Sequence, residues 1–244
     1  MKSGKKVALL VGVGEYGNGL KSLQCPANGV TEFQTILAQP EIGGFDEVVP
    51  LINPDVGTMR TRIGAVFSRL KKADLGLFYF TGHGIKDMTG EFYLTTSQTQ
   101  LLDNGRLNPG TAVEASFLKS ILGNCYAQRK VVILDCCFGA AFAEGFLTMD
   151  SGGVDVEAQL GGEGWVVLTA ATARNYALEQ AGEALSVYTR YLVEGLKTPE
   201  KDRTISLWGI CMTMYALRCK PLPPPWNRPF SMATKGMRFC WRGR

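Results

Sequence analysis

Residues 131–140 read VVILDCCFGA. Four aliphatic residues in a row, three of them β-branched, fit a strand buried on both faces, the kind found inside a parallel sheet. The run ends in Asp135, then Cys136 and Cys137, then Phe138 and small residues. In open α/β sheets, sites form outside the carboxyl ends of the strands. Chemistry-bearing side chains therefore stand where this strand stops. Neighbouring side chains on a strand point to opposite faces, so only one of the two cysteines can meet a given partner.

Similar runs occur elsewhere. KVALLVGV (6–13), EVVPLIN (47–53), DLGLFYFTG (74–82) and WVVLTA (165–170) read as strands, with the fourth long strand at 130–135. EFYLTT (91–96), after the turn-prone KDMTG, reads as a short hairpin arm. Pro26 opens a helix over 27–39, with Val30, Phe33, Ile36 and Leu37 at helical spacing. A second helix at 57–71 carries Met59, Ile63, Val66, Phe67 and Leu70, and more are expected near 113–122, 183–196 and 204–218. Strands alternating with helices predict an α/β fold: a mostly parallel central sheet flanked by helices in three layers. The expected domain spans 1–220, with a Gly-rich, acidic linker at 148–164. Residues 221–244 form a Pro-rich, then basic and aromatic extension, read as packed on the domain.

Composition removes several function classes. The net charge is only +4 and no run of five like charges occurs, so nucleic acid is not an expected partner. No apolar stretch approaches the ~18 residues a membrane helix needs, and the N-terminus is too glycine-broken for a signal peptide. A cytoplasmic protein without membrane contact is expected. The seven cysteines (25, 125, 136, 137, 211, 219 and 240) contain no CxxC, and His83 is the single histidine. No metal site is expected from such spacing, and the thiols are read as reduced and mostly buried.

Two glycine motifs remain. GVGEYG (12–17) matches a dinucleotide fingerprint, yet NGLKSLQCP intervenes before any helix, so a plain glycine-rich loop is the better reading. FTGHG (80–84) sets His83 between two glycines at the end of an apolar strand, where general acid–base work is well placed. If this strand neighbours 130–135 in a parallel sheet, their ends lie about 5 Å apart. An imidazole would then activate one of the two thiols, because the thiolate is the nucleophile.

With these residues in place, the chain resembles the caspase-like cysteine peptidases of clan CD, family C14, and most closely the bacterial orthocaspases related to metacaspases. The matching stretches are KVALLVGVGEYGNGLKSLQCPANGV, DLGLFYFTGHGIKDMTGEFYLTT, KVVILDCCFGAAFAEG, GWVVLTAATARNYALE and SVYTRYLVEGL. The resemblance implies the caspase–hemoglobinase fold and a cysteine endopeptidase with a Cys/His dyad. It places the nucleophile two residues after the aspartate, on Cys137, with His83 as base and acid. Backbone N–H groups of Gly84 and Cys137 would hold the oxyanion, and Cys136 would turn into the fold. The linker would separate p20-like and p10-like parts.

The same resemblance makes Asp135 the floor of the primary specificity pocket and predicts peptide or protein substrates cut after Arg or Lys. A structural acid at a strand end is the alternative for Asp135. Relatives commonly carry a second acid in ANDV, where this chain reads ANGV with Gly29; Asp87 or Glu179 are the candidate replacements. CFGA also departs from the usual CFSG, and Gly139 and Ala140 keep that turn small. No Lys or Arg occurs between Lys130 and Arg174, so an enzyme specific for basic residues could not cut its own linker, and an uncut single chain is expected. Calcium activates many metacaspases, but Asp150, Asp155, Glu157 and Glu163 are scattered among glycines, so no cofactor is expected. A latent effector activated by a partner in trans, in a defence or cell-death system, and a non-catalytic scaffold are the competing readings.

Overall fold

A computed structural model describes residues 4–17, 19–137, 159–160, 162, 164–169 and 182–197, with position 137 known by its backbone. In chain order the elements are β1 (Lys6–Gly12), α1 (Pro26–Ala38), β2 (Glu47–Ile52), α2 (Val56–Phe67), β3 (Leu75–Lys86), β4 (Phe92–Leu94), a 3₁₀ turn (Pro109–Thr111), β5 (Val113–Glu114), α3 (Ala115–Gly123), β6 (Arg129–Cys137), β7 (Trp165–Thr169) and α4 (Val187–Lys197). The expected helix at 204–218, the extension from 221, the acids of the linker and Glu179 lie outside the described residues.

Five strands form a parallel sheet in the order β2-β1-β3-β6-β7, and β4 and β5 form an antiparallel arm on β3. Alternation along the buried strands loads both faces. Leu9, Phe78, Phe80, Val132 and Leu134 pack beneath α2 and α3, against Met59, Ile63, Phe67, Leu118 and Leu122. Ala8, Leu10, Leu77, Tyr79, Val131 and Ile133 face α1 and α4, against Val30, Phe33, Ile36, Leu192 and Val193. The result is three layers, as the alternation of periods predicts. Phe33 and Tyr79 meet edge-on with centroids 5.0 Å apart. Truncating a fully buried ring such as Phe33 to alanine would cost about 3–5 kcal/mol.

Helix starts follow local chemistry. Asp55 caps α2 by accepting from the Thr58 N–H at 2.8 Å. Ser186 caps α4 by accepting from the Thr189 N–H at 3.0 Å, so that helix begins at 187 and not at 183. α2 stops at Phe67, short of the expected 71, though Leu70 remains buried.

One difference bears on function. β3 outlasts its expected end at Gly82 and continues through FTGHG to Lys86. The reason is a change of partner. β3 runs beside β6 as far as His83, and from Gly84 onward it pairs with β4. His83 therefore sits on continuous, hydrogen-bonded backbone at the point where the parallel sheet hands over to the antiparallel arm. β6 also outlasts its expected end and carries Asp135, Cys136 and Cys137 within the ladder.

Candidate active site

The register of β3 on β6 places Thr81 beside Asp135, Gly82 beside Cys136 and His83 beside Cys137. Parallel neighbours stand about 4.8 Å apart, so the histidine and the second cysteine are adjacent at the carboxyl edge of the sheet. Cys136 is fully buried and belongs to the cluster with Val132 and Leu134, on the α2–α3 side. Position 137 has the opposite parity, shared with Asp135 and with the α1–α4 side.

His83 is 3 % exposed, and its Nε2 lies 2.8 Å from the Lys21 carbonyl. A carbonyl oxygen only accepts, so this contact requires the proton on Nε2 and makes the Nδ1 lone pair the basic site of the neutral ring. Lys21 belongs to the segment after GVGEYG, which therefore orients the imidazole without contributing a side chain to it.

Backbone parity also directs the glycine after the histidine. The Thr81 carbonyl accepts from Val13 N–H, on the β1 side of β3. Two residues on, His83 uses the same side: its N–H donates to Tyr16 Oη at 2.9 Å and its carbonyl accepts from Thr95 N–H at 3.2 Å. Bonded and non-bonded pairs alternate along an antiparallel ladder, so the Gly84 N–H points the other way, toward the side on which β6 ends. That direction suits a donor to an oxygen developing near Cys137.

Asp135 is 2 % exposed. Its Oδ2 accepts from Thr189 Oγ1 at 2.6 Å, from Thr81 Oγ1 at 3.2 Å and from Ser186 Oγ. Tyr79 Oη is 2.6 Å from Thr189 Oγ1. Because the threonine proton goes to the carboxylate, the phenol is the donor in that contact. Burial first, and the negative charge of Asp135 second, push the Tyr79 phenol well above its ordinary pKa and keep it a donor.

Gly29 faces this same network. A Cβ built there would lie 3.4 Å from Tyr79 Oη and 3.6 Å from Thr189 Cγ2, both ordinary contacts. The position at which this chain lacks an acid thus borders the hydroxyls that hold Asp135.

Asp87 does not replace that acid. It lies six residues beyond Thr81, about 20 Å along an extended strand. Its Oδ1 accepts from Thr89 N–H, Thr89 Oγ1 and Glu91 N–H, and its Oδ2 from Tyr93 Oη at 3.3 Å, so it ties the β3–β4 turn. The structure places Asp87 in that turn and does not bring it together with Asp135.

Several contributors escaped the sequence reading: the Lys21 carbonyl, Tyr16, Thr81, Thr95, Ser186 and Thr189. Only Ser186 left a local sign, as a serine standing directly before a helical apolar pattern.

An α/β sandwich with histidine and cysteine in register where the pairing of two adjacent parallel strands ends has the layout of a thiol hydrolase. The chain belongs to the caspase-domain family, peptidase C14, whose family model matches residues 5–210. Its function is accordingly of the cysteine-peptidase type. Among solved structures, a Geobacter sulfurreducens protein from a structural genomics programme is similar at 19% identity with a TM-score of 0.43, over 55% of this chain and 50% of its own. The chain thus spans half of that protein, a likeness too slight to inform the site. No curated protein matches the chain. No helix among the described residues is long and apolar enough to cross a membrane.

Proposed function

We propose that the chain is a cysteine endopeptidase that hydrolyses peptide bonds after Arg or Lys, with His83 and Cys137 as its working pair. The observation that carries this reading is the register of His83 against Cys137, combined with the Lys21 carbonyl that fixes the imidazole tautomer. Nδ1 takes the thiol proton as the sulfur attacks the scissile carbonyl carbon. The tetrahedral oxyanion is held by the Gly84 and Cys137 N–H groups. Imidazolium then protonates the departing amine, the C–N bond breaks, and a thioester remains. Water, deprotonated by the same nitrogen, attacks the thioester and releases the acid and the thiol. None of these steps uses a metal or an organic cofactor.

Asp135 supplies the charge that selects a basic side chain. Three hydroxyls donate to one of its oxygens, Oδ2, and hold that end of the carboxylate in place. A fixed anion favours guanidinium or ammonium and rejects aspartate. With Gly29 in place of a second acid, affinity for the basic side chain is modest and the chain works uncut.

Hydrolysis of fluorogenic peptides ending in Arg, Lys or Asp tests this, with wild type beside Cys136→Ala, Cys137→Ala and His83→Ala. Arg and Lys peptides should be cut by wild type and Cys136→Ala alone. An inactive Cys136→Ala beside an active Cys137→Ala would overturn the nucleophile assignment. Preferential cleavage after Asp would overturn the pocket.

A further inference from the structure

We infer that Tyr16, together with Thr95, is a positioning device for the catalytic histidine: a ring of hydroxyl hydrogen bonds that closes on the His83 main chain. The inference rests on the reading of His83 as the base. The His83 N–H donates to Tyr16 Oη at 2.9 Å, Tyr16 Oη lies 3.0 Å from Thr95 Oγ1, and Thr95 Oγ1 donates to the His83 carbonyl at 2.7 Å. Each hydroxyl has one proton. The threonine spends its proton on the carbonyl, so the tyrosine is the donor between them. That single proton is shared with the Val13 carbonyl, the nearer acceptor at 2.8 Å, so the Tyr16–Thr95 contact is the weaker arm of the ring. The circuit runs from His83 N–H through Tyr16 and Thr95 back to His83 C=O, and both main-chain polar groups of His83 are satisfied.

The ring of Tyr16 completes the clamp. Its centroid is 4.8 Å from the imidazole centroid, tilted by 37°. One residue thus holds the backbone of His83 with its hydroxyl and lies against the imidazole with its ring. Nε2 is meanwhile fixed by Lys21, five residues further along the same segment. GVGEYG, which does not bind a nucleotide in this reading, becomes the loop that delivers the clamp.

A second observation, on a different residue, points the same way. A Cβ at Gly82 would stand 2.9 Å from Tyr16 Oη and 3.1 Å from the Val13 carbonyl. The first glycine of the G-H-G triplet is therefore the space through which the tyrosine hydroxyl reaches the next residue's N–H. An alanine there would push the clamp away from His83. Displacing a catalytic group by about 1 Å can reduce rate by ~100-fold.

The test uses the full chain with Tyr16→Phe, Gly82→Ala, Thr95→Val and Thr95→Ser. Two readouts apply: steady-state kinetics on an Arg peptide, and the rate of iodoacetamide alkylation at Cys137, resolved by peptide mass spectrometry. Tyr16→Phe and Thr95→Val should lower kcat about tenfold or more while KM stays within twofold, and should slow alkylation in parallel. Thr95→Ser, which keeps the hydroxyl, should restore most of the rate. Gly82→Ala and Tyr16→Phe combined should be less than additive, because both disturb one contact. Wild-type kcat in Tyr16→Phe, or equal rates for Thr95→Val and Thr95→Ser, would overturn the clamp. An active His83→Ala would instead overturn the assignment of the base. Alkylation reads the thiol without a substrate, so a wrong choice of peptide leaves the test intact.

Discussion

Thr189 Oγ1, at the start of α4, donates a 2.6 Å hydrogen bond to Asp135 Oδ2 at the end of β6. With Ser186 and Tyr79 it joins β6, the parallel neighbour of the strand that carries His83, to a helix on the far side of the linker. Thr189→Val keeps the shape and removes both the donor to the carboxylate and the acceptor for the Tyr79 phenol. Loss of stability should be about 2–3 kcal/mol, the range for a buried hydrogen bond to a charged group. Chemical denaturation of the two proteins measures it, and an unchanged midpoint would show the network to be idle.

Gly29→Asp should strengthen recognition of basic side chains. The new Cβ fits beside Tyr79 Oη and Thr189 Cγ2 without a clash, and the carboxylate enters the surroundings of Asp135. KM for Arg peptides should fall severalfold, at about 1–2 kcal/mol of stability lost to like-charge repulsion. Kinetics beside thermal unfolding separates the two effects. A raised KM would mean that residue 29 does not face the substrate.

Cys136→Ala should leave catalysis within a few-fold of wild type. Its sulfur is fully buried among Val132, Leu134 and their neighbours, so the loss is one of packing, about 1–2 kcal/mol. Denaturation and peptide hydrolysis on one preparation decide the matter.

Intact mass should show no cleavage between 131 and 173 in active protein, since that interval contains no Lys or Arg. The Cys137→Ala protein is the control. A mass loss mapped to 148–164 in the active form alone would contradict specificity for basic residues.

Acid should weaken the amino-terminal edge of the sheet through Asp74. Its Oδ2 accepts from Lys71 N–H and its Oδ1 from Lys5 N–H, both at 2.8 Å. The Lys71 bond is the largest cause holding this carboxyl below the ordinary aspartate range. A depressed pKa means that the unfolded chain takes up the proton first as pH falls. The stabilisation is thus complete above the ordinary value near 4 and disappears as pH drops through the folded one. Unfolding midpoints from pH 7 to pH 2 should show a loss that is smaller in Asp74→Asn. Identical profiles would remove Asp74 from the acid response.

Much of the site was legible because it is carried by short, local patterns. The buried run at 131–134 required a strand, its end required an edge, and adjacent cysteines required a choice between faces. Period-two alternation bears on that choice, and Cys136 is the one found in the core. The helices over 27–39 and 57–71 were visible from apolar spacing alone. The continuation of β3 through FTGHG was not, because glycine-rich sequence signals a turn. Its hydrogen bonds go to β6, then to β4, and neither partner is local.

What the sequence alone determined is therefore the alternation of strands and helices, a histidine and a cysteine pair on two apolar strands, and the family that shares them. What only the tertiary structure decided is how those ends are held. The Lys21 carbonyl on His83 Nε2, the Tyr16 hydroxyl on the His83 N–H and on Thr95, and the three hydroxyls on Asp135 join residues from 51 to 79 positions apart. Serine, threonine, tyrosine and main-chain carbonyls occur everywhere in a sequence and announce nothing by spacing. Their roles arise when packing two layers of helix on the sheet brings them within hydrogen-bond reach of one edge.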